Sequence, residues 1–598
     1  MILALLAAAS LAAAAPEPAP LGLLKDGLTR IVAKIEAAAA DPNQPLSVRD
    51  LPNAALGELA LGGDPKKAES LLRLMFAQQD MDAKSPGYGT VPWEIRGKTV
   101  TDPNAIEFSM QAVGPILIRY GERLSPAFLQ EAPPHLTAAV AALERHKVPI
   151  LYTNIFLMKS ANLILLGRVL KDERVAAEGE AMLDAWLEQS KHLGITEYDS
   201  PTYYKVDAND LNYGYLYAEK TETKEKFKAA LDILWTDIGS NYFPGRGSLS
   251  GPHSRDYDFL TGHSGLDVFF IAYGWAPMPK TSKGLDIESV GLLQNELDQG
   301  YRPGPEIIAL TKKPERWNAR LWGDQPGQDR TNYITPDFAI GGASHDYCPY
   351  DKSISIQLAS KKPLTDISVV VDDSDEPYGK TQVENPDGHS KPHHLSSRPV
   401  TLQNKGLLLA TFIAAPDKKH PSPFLATNVL LPLAAEEISI DGERVEPGSL
   451  GEWFLTEKSV VAVREGDALA LVRVFLAQAC KGERARLSLK IDAAGLKYKT
   501  ARLVIAHHDP ADGNAPESCR AGSVILFSAV HAGDGPARAA ALQAMSRSAV
   551  TVGSKDGVYE VTARSGGSVL ELTRDTRAKT IPRRAADGVP VVFGPSRD

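Results

Sequence analysis

The apolar residues of this 598-residue chain follow two different spacings, and the change near residue 320 is the strongest constraint on its fold. From Leu21 to about Ala276 they recur every three or four positions, as amphipathic helices require. From about Tyr333 onward, short β-rich runs alternate with clusters of Gly, Pro and Asp, which predicts strands and turns. The pattern therefore predicts a helical half followed by a β half.

Start signals in the first half predict where its helices begin. Asp64-Pro65, Asp102-Pro103-Asn104 and Ser125-Pro126 each combine a capping residue with a proline at or near the first helical position. The helical segments are separated by short polar loops, which favours consecutive helix pairs over a single bundle. We expect an (α/α) toroid over residues 16–320.

Short apolar runs in the second half predict a large antiparallel β-sandwich over residues 321–598. The stretch 277–328, rich in Gly, Pro and charge, is interpreted as the connector and as part of a cleft rim. The predicted strands include residues 354–358, 367–371, 469–475, 486–491, 524–527 and 558–561.

Charge and composition narrow the classes of partner. The chain is 43% hydrophobic with a net charge of −9 and a pI near 5.9. A nucleic-acid partner is not expected, because phosphate neutralisation needs a basic field. No later stretch has the apolar length of a membrane span, and the oligomeric state is left open.

The N-terminal sequence MILALLAAASLAAAAPEPAP combines an apolar run with a small-residue cleavage region. It predicts a signal peptide over residues 1–15 and a periplasmic or secreted protein. The alternative is an apolar tail on a cytosolic protein. Three cysteines, Cys348, Cys480 and Cys519, allow one disulfide at most.

Three segments of the helical half are too polar and too aromatic for simple helix packing. They are residues 152–154, 197–207 and 251–258. All three lie at predicted helix starts or in loops, and in a ring of helix pairs such positions gather at one end. A functional cleft is therefore expected there.

The segment 251–258 brings together His253, Arg255 and Tyr257. A lyase that acts by β-elimination must neutralise a uronate carboxylate, remove the adjacent proton and protonate the leaving oxygen. A phenol performs both proton transfers when a cation such as Arg255 lowers its pKa. The structural alternative is a loop held by an Arg–carboxylate pair, with Tyr257 simply packed.

The other two segments supply candidates for substrate binding. Glu197 is a helix cap, a ligand of sugar hydroxyls or, if protonated, a ligand of the uronate carboxylate. Asn154 is either a cap or a donor to a carboxylate. Tyr203 and Tyr204 are candidates for stacking, proton transfer or core packing. Lys205 is a further candidate for binding the acidic substrate.

These segments, together with residues 333–341 (YITPDFAIG), resemble the toroid-type polysaccharide lyases, the broad heparinase and alginate/glucuronan lyase assemblage. The resemblance covers nearly the whole mature chain and implies an acidic polysaccharide as substrate. It implies Asn154, Glu197 and Arg255 around the uronate carboxylate and Tyr257 as base and acid, with His253 and Tyr204 as further catalytic candidates. The chain departs from the heparinase pattern, because Asn154 is followed by Ile155 and not by His.

Histidines in the β half raise the question of a metal. The segments 387–394 and 507–509 are rich in His, yet neither has a carboxylate at helical spacing. A solvated loop is the default interpretation of both. We expect no cofactor in the catalytic site, and a structural metal in the β half stays open.

Two other function classes stay open. A glycoside hydrolase on a similar toroid would use two carboxylates, such as Glu197 and Asp256, to bracket the glycosidic bond. A non-catalytic glycan-binding protein would use the aromatic residues and Arg255 without moving a proton. The clustered His253, Arg255 and Tyr257 favour an anionic substrate and hence the lyase.

Overall fold

The computed structural model describes residues 19–96, 102–262, 265–278, 285–378, 382–384, 390–392, 394–446 and 448–594. The predicted signal peptide lies outside the described residues. None of the helices described is long and apolar enough to cross a membrane.

Residues 19–312 form the helical half. Its helices are α1 (Ala19–Ala40), α2 (Asp50–Ala60), α3 (Pro65–Phe76), α4 (Ala105–Met110), α5 (Val113–Tyr120), α6 (Pro126–Arg145), α7 (Thr153–Leu170), α8 (Glu173–Leu193), α9 (Tyr203–Tyr217), α10 (Thr221–Asn241), α11 (Asp267–Ala272), α12 (Val290–Leu297) and α13 (Pro305–Lys312). Two short ribbons pair β1 (Leu46–Ser47) with β2 (Glu94–Ile95), and β3 (Tyr242–Phe243) with β4 (Ser248–Leu249).

The inner helices close a ring. α2 contacts α5, α5 contacts α7, α7 contacts α9, α9 contacts α12, and α12 returns to α2. The outer helices α1, α3, α6, α8 and α10 each pack on one of these inner helices. The predicted (α/α) toroid is confirmed, and α12, which completes the ring, lies inside the stretch 277–328 that was interpreted as a connector.

Inner and outer helices differ in how their residues are buried. α7 is buried on almost every side, whereas α8 buries a stripe at spacings of three and four that includes Val175, Gly179 and Leu183. Gly179 permits a close approach, because a Cβ there would lie 2.6 Å from the Ser160 carbonyl oxygen of α7. Capping by Asp64 and Ser125 is as predicted, with each side chain accepting a backbone N–H bond.

The β half begins at Arg316, a few residues before the predicted boundary. Its elements are β5 (Arg316–Leu321), β6 (Asp329–Ile334), β7 (Phe338–Ser344), β8 (Ile354–Leu358), β9 (Ile367–Asp372), β10 (Gln382–Glu384), β11 (Ser390–Pro392), β12 (Val400–Asn404), β13 (Leu407–Ala414), β14 (Ala426–Pro432), β15 (Glu437–Ile440), β16 (Glu443–Val445), β17 (Gly451–Leu455), β18 (Val461–Glu465), β19 (Ala468–Ala477), β20 (Arg486–Ile491), α14 (Ala493–Tyr498), β21 (Thr500–Ala506), β22 (Ala521–His531), α15 (Gly535–Ser546), β23 (Ala549–Lys555), β24 (Val558–Ser565), β25 (Ser568–Asp575), β26 (Thr580–Ala586) and β27 (Val589–Pro590).

The β half has three layers of antiparallel sheet. A nine-stranded sheet, in the order β17-β20-β21-β14-β9-β8-β7-β6-β5, packs on a seven-stranded sheet, in the order β12-β13-β22-β19-β18-β15-β16. The five-stranded sheet β23 to β27 and α15 cover the other face of the seven-stranded sheet. Because that middle sheet is buried on both faces, β19 and β22 are continuous apolar runs and not alternating ones. The predicted sandwich is confirmed, with a third layer added.

Candidate active site

The candidate site lies where three loops of the helical half meet one loop of the β half. Asn154 is the second residue of α7, Glu197 lies between α8 and α9, and Tyr203 is the first residue of α9. Arg255 and Tyr257 follow β4. Ser200 starts α9 by accepting the Tyr203 N–H bond at 3.1 Å, which places that phenol at the helix end.

Arg255 connects these residues. Its Nη1 donates to Glu197 Oε1 at 2.7 Å, and its Nη2 donates to the hydroxyls of Tyr203 at 2.9 Å and Tyr257 at 3.0 Å. Its guanidinium also lies 4.1 Å from the centre of the Tyr203 ring. Burial would lower the pKa of Arg255, but the nearby Tyr203 and Glu197 groups raise it well above its usual value. Arg255 is therefore a fixed cation beside two phenols.

Glu197 and Asn154 lie behind Arg255 and are fully buried. The Asn154 backbone N–H and its side-chain amide both donate to Glu197 Oε2, at 2.8 and 2.7 Å. The Glu197 carboxylate thus lies at the N-terminus of α7, where the helix dipole favours negative charge. The observed role of both residues is to hold Arg255, and a direct contact with substrate stays a prediction.

A ring of tyrosines surrounds Arg255. Tyr257 and Tyr203 are partly exposed, with their hydroxyl oxygens 3.4 Å apart. Tyr152, also partly exposed, has its ring centre 5.1 Å from the guanidinium and accepts an Asn104 amide bond at 3.1 Å. Burial raises the pKa of Tyr152 and raises that of Tyr203 well above its usual value, although Arg255 opposes both shifts. These two phenols are therefore poor bases.

The loop between β7 and β8 completes the site from the β half. The Tyr350 ring centre lies 5.8 Å from that of Tyr257, and the Tyr347 hydroxyl donates to the Leu151 carbonyl at 3.3 Å. Asp351 Oδ1 accepts the Arg255 backbone N–H at 2.9 Å. Sequence reasoning did not select these residues, although the run Tyr347-Cys348-Pro349-Tyr350-Asp351 is as aromatic and polar as the chosen segments.

A second residue that sequence reasoning did not select is Asp207, one helical turn after Tyr203. It is fully buried, and among the described residues neither of its carboxyl oxygens has a hydrogen-bond partner. Burial, reinforced by Glu197 and Asp210, raises the pKa of Asp207 well above its usual range. A buried carboxyl group whose protonated form is favoured therefore lies close to the Arg255–Glu197 pair.

Three of the predicted site residues lie outside this cluster. The Tyr204 hydroxyl donates to Asp237 at 2.6 Å and the residue is completely buried. Lys205 Nζ lies 2.6 Å from both Asp286 and Glu288. These contacts give Tyr204 and Lys205 structural roles.

His253 is the third. It is completely buried, and its Nδ1 lies 2.8 Å from Asp256, which in turn pairs with Lys352 at 3.0 Å. Burial and the Lys352 charge lower the pKa of His253, so the imidazole is neutral. For Asp256, burial alone would raise the pKa, but Lys352 and His253 hold it well below its usual range. His253 thus joins the two halves of the molecule.

In the two His-rich segments of the β half, the described histidines also contact protein groups. His507 binds Thr427 at 2.8 Å and the Gln478 carbonyl at 2.6 Å, and His508 binds the Gly513 carbonyl at 2.9 Å. In the segment 387–394, residues 387–389 and 393 lie outside the described part, and the His394 ring packs edge-on against Phe259. No group of three or more metal-ligating side chains occurs within the described ranges.

Comparison with known proteins gives a family match for part of the chain. Residues 60–271 match a domain of unknown function, DUF8769. No protein of curated function matches.

Several solved structures are similar in layout at low identity. A Paenibacillus xanthan lyase is 10% identical, with a TM-score of 0.47 over 92% of this chain and 64% of that one, so this chain spans less than two thirds of its length. A Streptomyces coelicolor A3 chondroitin AC lyase is 12% identical, with a TM-score of 0.45 over 94% and 89%. A chondroitinase AC lyase solved with oligosaccharides is 11% identical, with a TM-score of 0.39 over 96% and 99%.

Proposed function

We propose that this protein is a lyase that cleaves a uronate-containing polysaccharide by β-elimination, with Tyr257 as the group that transfers the proton. The observation that carries the proposal is the 3.0 Å bond from Arg255 Nη2 to the Tyr257 hydroxyl. A guanidinium at this distance stabilises the phenolate form of a tyrosine. The resemblance of the sequence to toroid-type polysaccharide lyases supports the same chemistry.

The proposed reaction requires three steps that these residues can serve. Arg255 and the Tyr203 hydroxyl face the uronate carboxylate and make the proton at the adjacent carbon, C5, more acidic. The Tyr257 phenolate takes that proton, the C5–H electrons form the C4–C5 double bond, and the C4–O4 bond breaks. The leaving O4 then takes the proton from Tyr257, which restores the phenolate.

Tyr257 is proposed as the group that transfers the proton because burial counts against the neighbouring tyrosines. Burial raises the pKa of Tyr152 and Tyr203 and so disfavours their phenolates. Tyr204 is sealed against Asp237 and has no part in the proposed chemistry. Tyr257, like Tyr203, is partly exposed and directly bound by the cation, and it lies on the same loop as Arg255.

The site does not favour a hydrolase. Glycoside hydrolysis needs two carboxyl groups on either side of an accessible bond, one of them with a raised pKa. Glu197 and Asp256 are both buried, and each is bonded to a cation, Arg255 or Lys352. Both carboxyl groups are thus held in ion pairs inside the protein.

The test is ultraviolet absorbance during incubation with a panel of uronate polymers, including alginate, glucuronan, heparan sulfate and chondroitin sulfate. Elimination creates a conjugated double bond, so absorbance should rise on at least one polymer. Tyr257→Phe should lower kcat by about 10²-fold or more, the range that general acid–base groups contribute, and should leave binding intact. Tyr203→Phe is the matched control, which removes the other hydroxyl bound by Arg255 and should weaken binding more than turnover.

Three outcomes would contradict the proposal or part of it. Reducing ends that appear without new absorbance would indicate hydrolysis. Binding without either signal would indicate a glycan-binding protein. Equal loss of kcat in Tyr203→Phe and Tyr257→Phe would remove the assignment of the proton transfer to Tyr257.

We also propose that the protein acts outside the cytoplasm. The N-terminal apolar run supports export, and the Cys480–Cys519 disulfide is of the kind that persists in oxidising compartments. Peptide mass analysis of the protein recovered from cell envelope or medium tests this. An intact N-terminus on protein found only in the cytoplasm would contradict it.

A further inference from the structure

A polar cavity of about 280 Å³ lies at the junction of the two halves and shares no residue with the Arg255 site. It is bounded by the end of α10, the end of α13 and the edge strand β5. The residues that concern its chemistry are Ser240, Lys313, Arg316, Trp317 and Arg320. Its volume is close to the lower end of the usual range for ligand pockets, about 300 Å³.

Arg320 has capacity left for an anion. Its Nη2 donates to the Ser240 hydroxyl at 3.0 Å, but among the described residues its Nη1 has no hydrogen-bond partner, although the residue is only 8% exposed. The nearest carboxylate, Asp237, lies 3.9 Å from Nε and is already bound by Arg330 at 2.7 Å and by Tyr204 at 2.6 Å. A buried donor without a partner is costly, and Arg320 lines the cavity, so a shift of this side chain towards an anion there would be favourable.

Arg316 adds a second incompletely paired guanidinium. It donates to the carbonyls of Leu310 and Tyr242 and so caps the ends of α13 and α10, while its Nε has no partner among the described residues. Burial without a neighbouring carboxylate lowers the pKa of Arg316 to about 10. The C-termini of α10 and α13 carry partial negative charge, which offsets only part of the positive charge of Arg316 on this side of the cavity.

Trp317 supplies a different kind of surface. Its side chain lines the cavity and is 41% exposed, unusually open for an indole. An indole presents a flat apolar face beside which a sugar ring can lie. Lys313, which is also exposed, stands on the rim of the same cavity. Glu315 also lines the cavity, but its carboxylate accepts bonds from Tyr333 and Lys405.

We propose that this cavity is an auxiliary binding site for an acidic sugar unit, in which Trp317 stacks on the pyranose ring and Arg320 and Arg316 face its carboxylate. An inorganic anion would leave Trp317 unused, and a neutral sugar would leave the guanidinium donors unused. The choice of a uronate among acidic sugars rests on the proposed function. The site would hold a second part of the polymer while the Arg255 site acts on the first.

The test measures binding and turnover separately. In the full chain carrying Tyr257→Phe, calorimetry with a short oligoglucuronate should show two sites per chain, and the addition of Trp317→Ala should leave one. In the catalytically intact chain, Trp317→Ala should raise KM for the polymer by about tenfold, because a second attachment point is lost. Its kcat on short oligosaccharides should not change.

The matched control is Phe454→Ala. Phe454 is an exposed aromatic residue on β17, at the opposite edge of the same nine-stranded sheet. Its loss should change neither the number of calorimetric sites nor KM for the polymer. A neutral glucan oligosaccharide of the same length should bind only weakly at the cavity. Inorganic phosphate should not displace the oligosaccharide from it.

The outcomes separate this inference from the proposed function. If no polymer is cleaved but Trp317→Ala removes one calorimetric site, the auxiliary site stands and the lyase assignment fails. Equal stoichiometry and KM in Trp317→Ala, Phe454→Ala and the parent protein would overturn the auxiliary site. Displacement by phosphate that is insensitive to Trp317→Ala would also overturn it, because the cavity would then be a simple anion site.

Discussion

At the scale of single residues, the site depends on the unusual backbone of Arg255. Its φ is 45°, in the left-handed region that side chains other than Gly rarely adopt. The Asp351 carboxylate accepts its N–H at 2.9 Å and also accepts the N–H groups of Tyr347 and Cys348. Asp351 thus holds both Arg255 and the Tyr347–Asp351 loop of the β half in place. The backbone strain of Arg255 is thereby maintained at the site where it acts.

Asp351 makes the stability of the protein depend on pH. Burial, reinforced by Asp346, raises the pKa of Asp351 to about 7. Because the folded protein holds this proton more tightly than the unfolded chain, the contribution is present at low pH and is lost as the pH rises from about 4 to about 7. The difference corresponds to at most about 4 kcal/mol. We expect urea unfolding at pH 5 and pH 7.5 to show a larger loss of stability in the parent protein than in Asp351→Asn.

Titrating groups other than Asp346, which interacts with Asp351, contribute equally to both proteins, so the difference between them reports Asp351 together with that interaction. Asp324→Asn, at an exposed position in a turn, is the control and should behave like the parent protein. Parallel stability curves for the parent protein and Asp351→Asn would contradict the prediction.

Part of the site was accessible from the sequence because its residues follow helix starts and turns. Asn154, Glu197, Tyr203, Arg255 and Tyr257 were chosen from polar segments, and the structure brings all five together. Tyr204 and Lys205 were chosen from the same segment, but successive helix residues point about 100° apart, since a turn holds about 3.6 residues. They therefore face Asp237 and Glu288 and not Arg255.

The contribution of the β half was not accessible in the same way. Asp351 and Arg255 are 96 positions apart, and nothing in local spacing indicates that their loops meet. The contact depends on how the sheet packs on the toroid. Asp207 was not predicted, for a different reason. A carboxyl group in a helical pattern is ordinarily expected to face solvent unless the helix is known to be internal.

At the scale of elements, strand prediction succeeded where a strand is a short apolar run bounded by turn residues. The predicted strands 354–358 and 486–491 coincide with β8 and β20. α12 was missed, because eight residues are too few for a helical period to be distinguished from a buried apolar run. The separate five-stranded sheet was not foreseen, because strand patterns do not show which sheet a strand joins.

The Cys480–Cys519 disulfide closes a chain loop that leaves the seven-stranded sheet, passes through the nine-stranded sheet and returns. Cys480 follows β19 and Cys519 precedes β22, both in the seven-stranded sheet, while the enclosed strands β20 and β21 belong to the nine-stranded sheet. The bond closes a loop with a sequence separation of 39. In the chain-entropy account such a loop stabilises the fold by about 2–4 kcal/mol.

Replacing both cysteines by serine should therefore lower the free energy of unfolding by about 2–4 kcal/mol, measured by urea titration. Dithiothreitol should destabilise the parent protein by a similar amount and leave the double variant unchanged, which controls for the substitutions themselves. A double variant as stable as the oxidised parent protein would contradict this contribution of the disulfide to stability.

At the scale of the whole molecule, buried ion pairs join the toroid to the sandwich. Arg330 of β6 donates to both oxygens of Asp237 of α10 at 2.7 Å and also pairs with Asp199. Lys352 of the β half pairs with Asp256 of the helical half at 3.0 Å. The Arg255 site needs loops from both halves. These ion pairs therefore set the distance between Tyr257 and the Tyr347–Asp351 loop as well as connecting the domains.

We expect the two halves to unfold as one cooperative unit, and Arg330→Met to destabilise that unit by about 3–5 kcal/mol, because the change leaves two buried carboxylates without their cation. Without Arg330 the pKa values of Asp199 and Asp237 should rise, so the loss should be greater at pH 8 than at pH 5. Urea unfolding followed by helical circular dichroism and by tryptophan fluorescence measures both effects. Arg444→Met, the same change at an exposed position of β16, should shift neither curve. Two separate transitions in the parent protein would show that the sandwich and the toroid are independent, and that these ion pairs do not hold the site together.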